Sequence, residues 1–159
     1  MTKYDLIGVR GRVRVLLLDQ RGQVVEERWT KNFLTELGEA YIADRLSDRN
    51  HADGDIDNMA IGTGSGQSRT STTLATEVAR VSGGNFTVSQ GTAGDDNDVI
   101  WQGTFGTSVP ASNQTISETA LFSLSSAGVM INYAEIQPAI FKPTTLTLVV
   151  QIFWTIGAS

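Results

Sequence analysis

The chain has 159 residues, no cysteine, one histidine, 18% charged residues and a formal net charge of −5. That length suits a single domain over 1–159, and 40% hydrophobic residues suffice for a core without metal or disulfide staples. The missing cysteines exclude disulfide frameworks, thiolate zinc sites and cysteine nucleophiles, and the acidic balance argues against nucleic acid or an anionic membrane surface as partner.

Charge is spread unevenly: beyond Arg80 only Asp95, Asp96, Asp98, Glu118, Glu135 and Lys142 are charged. A surface built from Ser, Thr, Asn, Gln and Gly in place of charge suits strands and faces packed on other subunits. The sequence holds no apolar run of the roughly 18 residues a membrane span needs, and no apolar stretch follows Lys3 as in a signal peptide. Cytoplasmic synthesis is the expectation.

In chain order, residues 6–19 alternate Val9, Val13 and Val15 with Arg10, Arg12 and Arg14, which predicts a strand with arginines on one face. Asp19-Gln20-Arg21-Gly22 supplies a turn, and 24–30 reads as the returning strand of a hairpin. Residues 1–14 also suit an extended N-terminal arm that adds to a neighbour's sheet edge. The Arg row fits either a solvated hairpin face or a basic stripe docking on an acidic partner.

A helix is expected over about 32–47, with Asn32 as N-cap and Leu34, Leu37, Tyr41, Ile42 and Leu46 as its apolar stripe. A polar loop follows, then a short strand Met59-Ala60-Ile61 and the turn Gly62-Thr63-Gly64-Ser65-Gly66. A short helical turn is expected over about 71–80. Beyond Ser82, runs at 85–89, 99–105, 114–124, 129–136 and 144–156 read as strands, with 138–143 (PAIFKP) among the turns. Together these predict a mainly β chain: an antiparallel β-sandwich or jelly-roll-like domain with an N-terminal hairpin or arm and one helix. In the last run Leu146, Leu148, Val150, Ile152, Trp154 and Ile156 share one face, which must be core. Val149 and Phe153 fall on the other face, exposed unless a helix, a loop or another subunit covers them.

Catalytic and ligand signatures are weak. Asp53, Asp55 and Asp57 begin like a calcium loop, but Asn58 stands where the sharp turn needs Gly and Gly64 where a closing Glu belongs. Asp95, Asp96 and Asp98 suit a polar hairpin tip as well as a cation site. Gly62, Gly64 and Gly66 invite comparison with anion-cradling loops, yet Gln67-Ser68 replaces the Lys-Ser/Thr pair of a phosphate-binding loop. His51 is the only imidazole base, and no serine lies in an elbow motif. The expectation is a non-enzyme without cofactor or metal.

The order of features from Asn32 to Phe122 resembles a layout in virion proteins of tailed bacteriophages. It comprises Asn32-Phe33-Leu34-Thr35 with Gly38, then Met59-Ala60-Ile61-Gly62-Thr63-Gly64, Leu74-Ala75-Thr76-Glu77-Val78-Ala79-Arg80 and Ile116-Ser117-Glu118-Thr119-Ala120-Leu121-Phe122. The resemblance implies a β-sandwich that assembles on the head or tail and carries no catalysis. It is most like a capsid decoration, or cement, protein, and implies a homotrimer on the capsid surface of the virion, bound to the major capsid protein. The residues add that Glu77 and Arg80 can pair with each other or with Glu118 to hold the link onto the sheet. Arg10, Arg12, Arg14, Val149 and Phe153 are the expected subunit or capsid contacts.

Two other readings stand beside this one. A tail, baseplate or fibre component contacting a receptor or sugar would show exposed aromatics in loops, whereas Trp29, Trp101 and Trp154 all fall in expected strands. A metal-dependent hydrolase would use Asp53, Asp55, Asp57 and His51.

Overall fold

A computed structural model describes residues 7–47, 54–91 and 97–158. Its elements are strand β1 (Ile7–Leu18), β2 (Val24–Leu34), helix α1 (Glu36–Ser47), β3 (Asn58–Gly62), β4 (Glu77–Val81), a 3-10 turn (Gly83–Asn85), β5 (Phe86–Gln90), β6 (Asp98–Phe105), β7 (Gln114–Phe122), β8 (Asn132–Lys142) and β9 (Thr147–Ala158). All strand pairs are antiparallel. They form one nine-stranded sheet in the order β4-β3-β7-β8-β2-β1-β9-β6-β5. The mainly β fold read from the sequence is the fold observed.

The β1–β2 hairpin is set by its turn. Asp19 accepts the amides of Arg21 at 2.8 Å and Gln23 at 2.9 Å through one carboxylate oxygen, and Gly22 takes a φ of 75°. With that turn fixed, Arg12 lies opposite Lys31, Arg14 opposite Trp29 and Leu16 opposite Glu27. β1 pairs with β9 over its whole length, which puts Arg10, Arg12, Arg14 and Leu16 opposite Thr155, Phe153, Gln151 and Val149.

The sheet has two halves joined at a narrow seam, where only Asn32, Phe33 and Leu34 of β2 pair with β8. The halves curl face to face. Val13, Val15, Leu17, Trp101, Phe105, Leu148, Val150, Ile152 and Trp154 of one half share a core with Met59, Ile61, Val81, Ile116, Leu121, Ala134, Ile136 and Ile140 of the other. The fit is close at the centre: a Cβ on Gly103 of β6 would lie 2.7 Å from the Met59 sulfur of β3. The two edge strands, β4 and β5, are consecutive in the chain and joined through the 3-10 turn. The sheet is therefore nearly closed.

A smaller core of Ala60, Leu74, Ala120, Phe122, Met130 and Tyr133 lies on the second face of β3, β7 and β8. It explains why β7 is buried on both faces from Glu118 to Phe122.

Several boundaries depart from the sequence reading. Residues 32–34 are strand, because pairing with β1 and β8 takes up their backbone groups, and the helix starts only after Thr35. Thr35, not Asn32, is the cap: its hydroxyl accepts the Gly38 amide at 2.9 Å and donates to the Met130 carbonyl. That phase turns Gly38 and Tyr41 inward and leaves Leu37 and Leu46, expected in the apolar stripe, exposed.

The helical turn expected at 71–80 does not form. The amides of Ala75 and Thr76 donate to Glu118 instead of to a preceding turn, and Glu77–Val81 pairs with β3 as strand β4. Residues 138–142 are not a turn but continue β8, with Ile140 opposite Ile116 and Lys142 opposite Gln114. Of the residues 1–14 expected as hairpin or arm, 7–14 is sheet, paired with β9 throughout, and 1–6 lies outside the described residues.

Candidate functional site

The expected contact residues converge on the outer face of β1, β2, β9 and β6, with one exception. Arg12 lies with its guanidinium carbon 5.0 Å from the Phe153 ring centroid and 5.5 Å from that of Trp29. The two rings stack with centroids 5.7 Å apart. Arg14 sits 5.6 Å from the Trp29 centroid and donates to Glu27 at 2.8 Å, and the Trp29 indole N–H reaches the same Glu27 oxygen at 2.8 Å. These two donors, Arg14 first, hold the Glu27 carboxyl below the usual carboxylate range.

Arg10, one step along, lines an open hollow with Gly11, Arg12, Asn97, Asp98 and Thr155. A neighbouring hollow is bounded by Arg12, Ser89, Gln90, Gly91, Ile100 and Phe153. The result is a flat platform of guanidinium groups on aromatic rings, laid across the best-paired strands of the sheet. Its chemistry suits carboxylates and aromatic or apolar side chains of another protein surface.

The exception is Val149. Although it shares the outer face of β9, it is 7% exposed, set between Leu16 on β1 and Thr104 on β6. It is core-like packing and not a free contact. Trp29, conversely, was not among the expected contacts and is 48% exposed at the centre of the platform. The turn at Asp19–Gly22 was the signal that could have found it, since a tight hairpin there places Trp29 beside Arg14.

Of the two pairings expected at the link, Arg80 takes the one with Glu77, while Glu118 is held by backbone amides. Glu118 is 0% exposed and has no ion-pair partner among the described residues. Its carboxylate accepts the amides of Gly64 at 3.0 Å, Ala75 at 3.0 Å and Thr76 at 2.8 Å. The glycine-rich turn does cradle an anion, and that anion is the chain's own Glu118. A Cβ at Gly62 would lie within 2.5 Å of the Thr76 carbonyl oxygen and one at Gly64 within 2.8 Å of Glu118 Oε1, so both glycines are needed for this approach.

Arg80 pairs with Glu77 at 2.7 Å on the edge strand. The same guanidinium donates to the carbonyls of Leu124 at 2.7 Å and Ala127 at 3.0 Å and covers the Phe122 ring at 3.7 Å. It thus ties the edge strand to the turn after β7.

Two further polar groups are buried nearby in the fold. Lys142 is enclosed, donating to the carbonyls of Gly106 at 3.1 Å and Leu146 at 2.9 Å, and desolvation pushes its amine below the usual value. Tyr133 is buried beside Glu118. Burial, with the charges of Glu118 and Glu135, pushes its phenol up to about 12.

The acidic loops give no cation site among the described residues. Asp55 pairs with Arg45 at 2.9 Å and Asp57 accepts from Asn58, while Asp53, His51, Asp95 and Asp96 lie outside the described residues. Asp98 begins β6 and lines the Arg10 hollow. Trp101 and Trp154 are core residues, packed edge to face with centroids 4.6 Å apart. No described helix is long and apolar enough to cross a membrane. Searches of family models, curated proteins and solved structures find no match to this chain.

Proposed function

We propose that the chain is a non-enzymatic virion structural protein that binds the outer surface of a phage head and stabilises the capsid through inter-subunit contacts. Its partners in this reading are the major capsid protein and further copies of itself, as a homotrimer. The observation that carries the reading is the platform of exposed Arg10, Arg12 and Trp29 with half-buried Arg14 and Phe153 on fully paired strands. Arginines held over aromatic rings are enriched at the centres of protein interfaces, where they supply directional hydrogen bonds and desolvated area together. The resemblance of the residue layout to tailed-phage virion proteins supports placement on a virion, and the short chain without a shaft or repeat segment favours the head.

The test is addition of the purified protein to heads from a phage lacking its gene. Co-sedimentation at a fixed ratio to the capsid protein, with heads that survive heating or osmotic shock better, is the expected result. Heads that neither bind the protein nor gain stability overturn the assignment.

A tail, baseplate or fibre role in receptor contact is the second reading. One observation favours it: the half-exposed Trp29 ring stacks beside Phe153 near the hollow at Arg10, Asn97 and Asp98, as a sugar-stacking face would. Electron microscopy of virions carrying the tagged protein separates the two, by label on the head or on the tail.

A further inference from the structure

Charge and exposed apolar area divide the molecule into two unlike faces. The platform carries four cations, Arg10, Arg12, Arg14 and Lys31, against two acids, Glu27 and Asp98, on a chain whose formal net charge is −5. Among the described residues only Arg14 of those cations has an ion-pair partner. The remaining surface is therefore more acidic than the whole.

The acidic face that also offers apolar area is the outward side of α1. Helical spacing puts Glu36, Glu39, Ala43 and Leu46 on one side, opposite the inward Gly38 and Tyr41. All four are exposed, Leu46 at 85%, and Glu39 pairs with Arg69 beside the helix, which leaves Glu36 as the free acid of the four among the described residues. Asp44 flanks them and is exposed as well. Leu46 beside Glu36 and Asp44 gives this face an apolar centre with an acidic rim, and the platform offers the complement: the guanidinium groups of Arg10 and Arg12 around two stacked rings.

We infer that the outward face of α1 in one copy docks on the Arg–Trp–Phe platform of a second copy. Glu36 and Asp44 meet Arg10, Arg12 and Lys31, and Leu46 packs against Trp29 and Phe153. The contact joins two different surfaces of the same chain, so it propagates head to tail and closes into a ring when the rotation per subunit allows. It deepens the structural-protein reading by naming which surface serves copies of the chain, and it rests on that reading only for the claim that such copies assemble.

The experiment is done in solution without heads, so that its failure is distinguishable from a failure of capsid binding. Multi-angle light scattering of the wild type should give a finite oligomer that dissociates as salt is raised. Arg10→Glu with Arg12→Glu destroys the platform, and Glu36→Lys with Leu46→Lys destroys the helix face. Each double variant should be a folded monomer. Mixed one to one they should form a heterodimer and nothing larger, because one intact platform and one intact helix face remain. Arg10→Glu with Lys31→Glu leaves the ring stack of Arg12 untouched and replaces the first variant if that one misfolds. A monomeric wild type, an oligomer that survives either pair of substitutions, or variants that ignore each other on mixing overturns the inference.

Discussion

Glu118 is buried with no cation beside it among the described residues, and three backbone amides make that burial tolerable. Glu118→Ala leaves those amides buried without acceptors, which costs about 3 kcal/mol or more, since hydrogen bonds to a charged group contribute roughly 1.5–3 each before relaxation. Urea denaturation reads the loss; a change within about 0.5 kcal/mol, as at an ordinary surface site, contradicts the role.

Lys142 and Tyr133 give the fold a pH signature of two opposite slopes. The folded pKa of Lys142 lies below its ordinary 10.5, so between those two values the unfolded chain holds more protons and stability rises with pH. Tyr133 ionises near 10.0 when unfolded and about 12 when folded, so across that window the native state holds the extra proton and stability falls. Unfolding free energy measured across this range should therefore lose its rising limb in Lys142→Met and its alkaline fall in Tyr133→Phe. Wild-type slopes in both variants would refute the assignment. Neither residue announces this in the sequence: Lys142 reads as part of a polar turn until β8 is seen to continue through it.

Among elements, α1 shows what local pattern can and cannot decide. The stretch is helical as its composition suggests, but its start and its rotation are set by partners far along the chain. Strand pairing holds residues 32–34, the Met130 carbonyl holds Thr35, and the Ile131 carbonyl presses on Gly38. Periodicity alone therefore assigns Leu37 and Leu46 to the wrong side, and Leu46 belongs to the face inferred to dock.

Gly38→Ala tests this directly. Helix propensity favours alanine by about 1 kcal/mol, whereas a Cβ at this position would overlap the Ile131 carbonyl oxygen, an overpacking that costs roughly 1–3 kcal/mol. Because a backbone atom blocks the space, the variant should be less stable than the wild type by calorimetry. Thr35→Ala should lose about 1–2 kcal/mol through the cap and the bond to β8's approach, seen as a lower urea midpoint.

For the whole molecule, alternation was the reliable signal and order was not. Alternation places Arg10, Arg12, Arg14 and Phe153 on the outer face of β1 and β9 and Leu148, Val150, Ile152 and Trp154 in the core, but Ile156, expected in that core, is 44% exposed near the end of β9. The adjacency of β1 and β9 depends on joining the first strand to the last, a pairing no local pattern encodes, and burial of Val149 follows only from that pairing. The same topology decides how stability is distributed. β1 and β9 are paired on both sides, whereas β4 and β5 each have one partner and an open edge. Amides of central strands exchange with solvent only through global unfolding, and those at open edges through local fraying. Backbone amides of Val13, Val15, Val150 and Ile152 should then exchange at least about a thousandfold more slowly than the outward amides of β5, given a global stability of about 5–15 kcal/mol. Mass-resolved or NMR hydrogen exchange checks this. Uniform protection across β1, β9 and β5 would mean that the edges are covered in solution, and fast exchange in β1 would remove the rigid base on which Arg12, Trp29 and Phe153 are held ready for a partner.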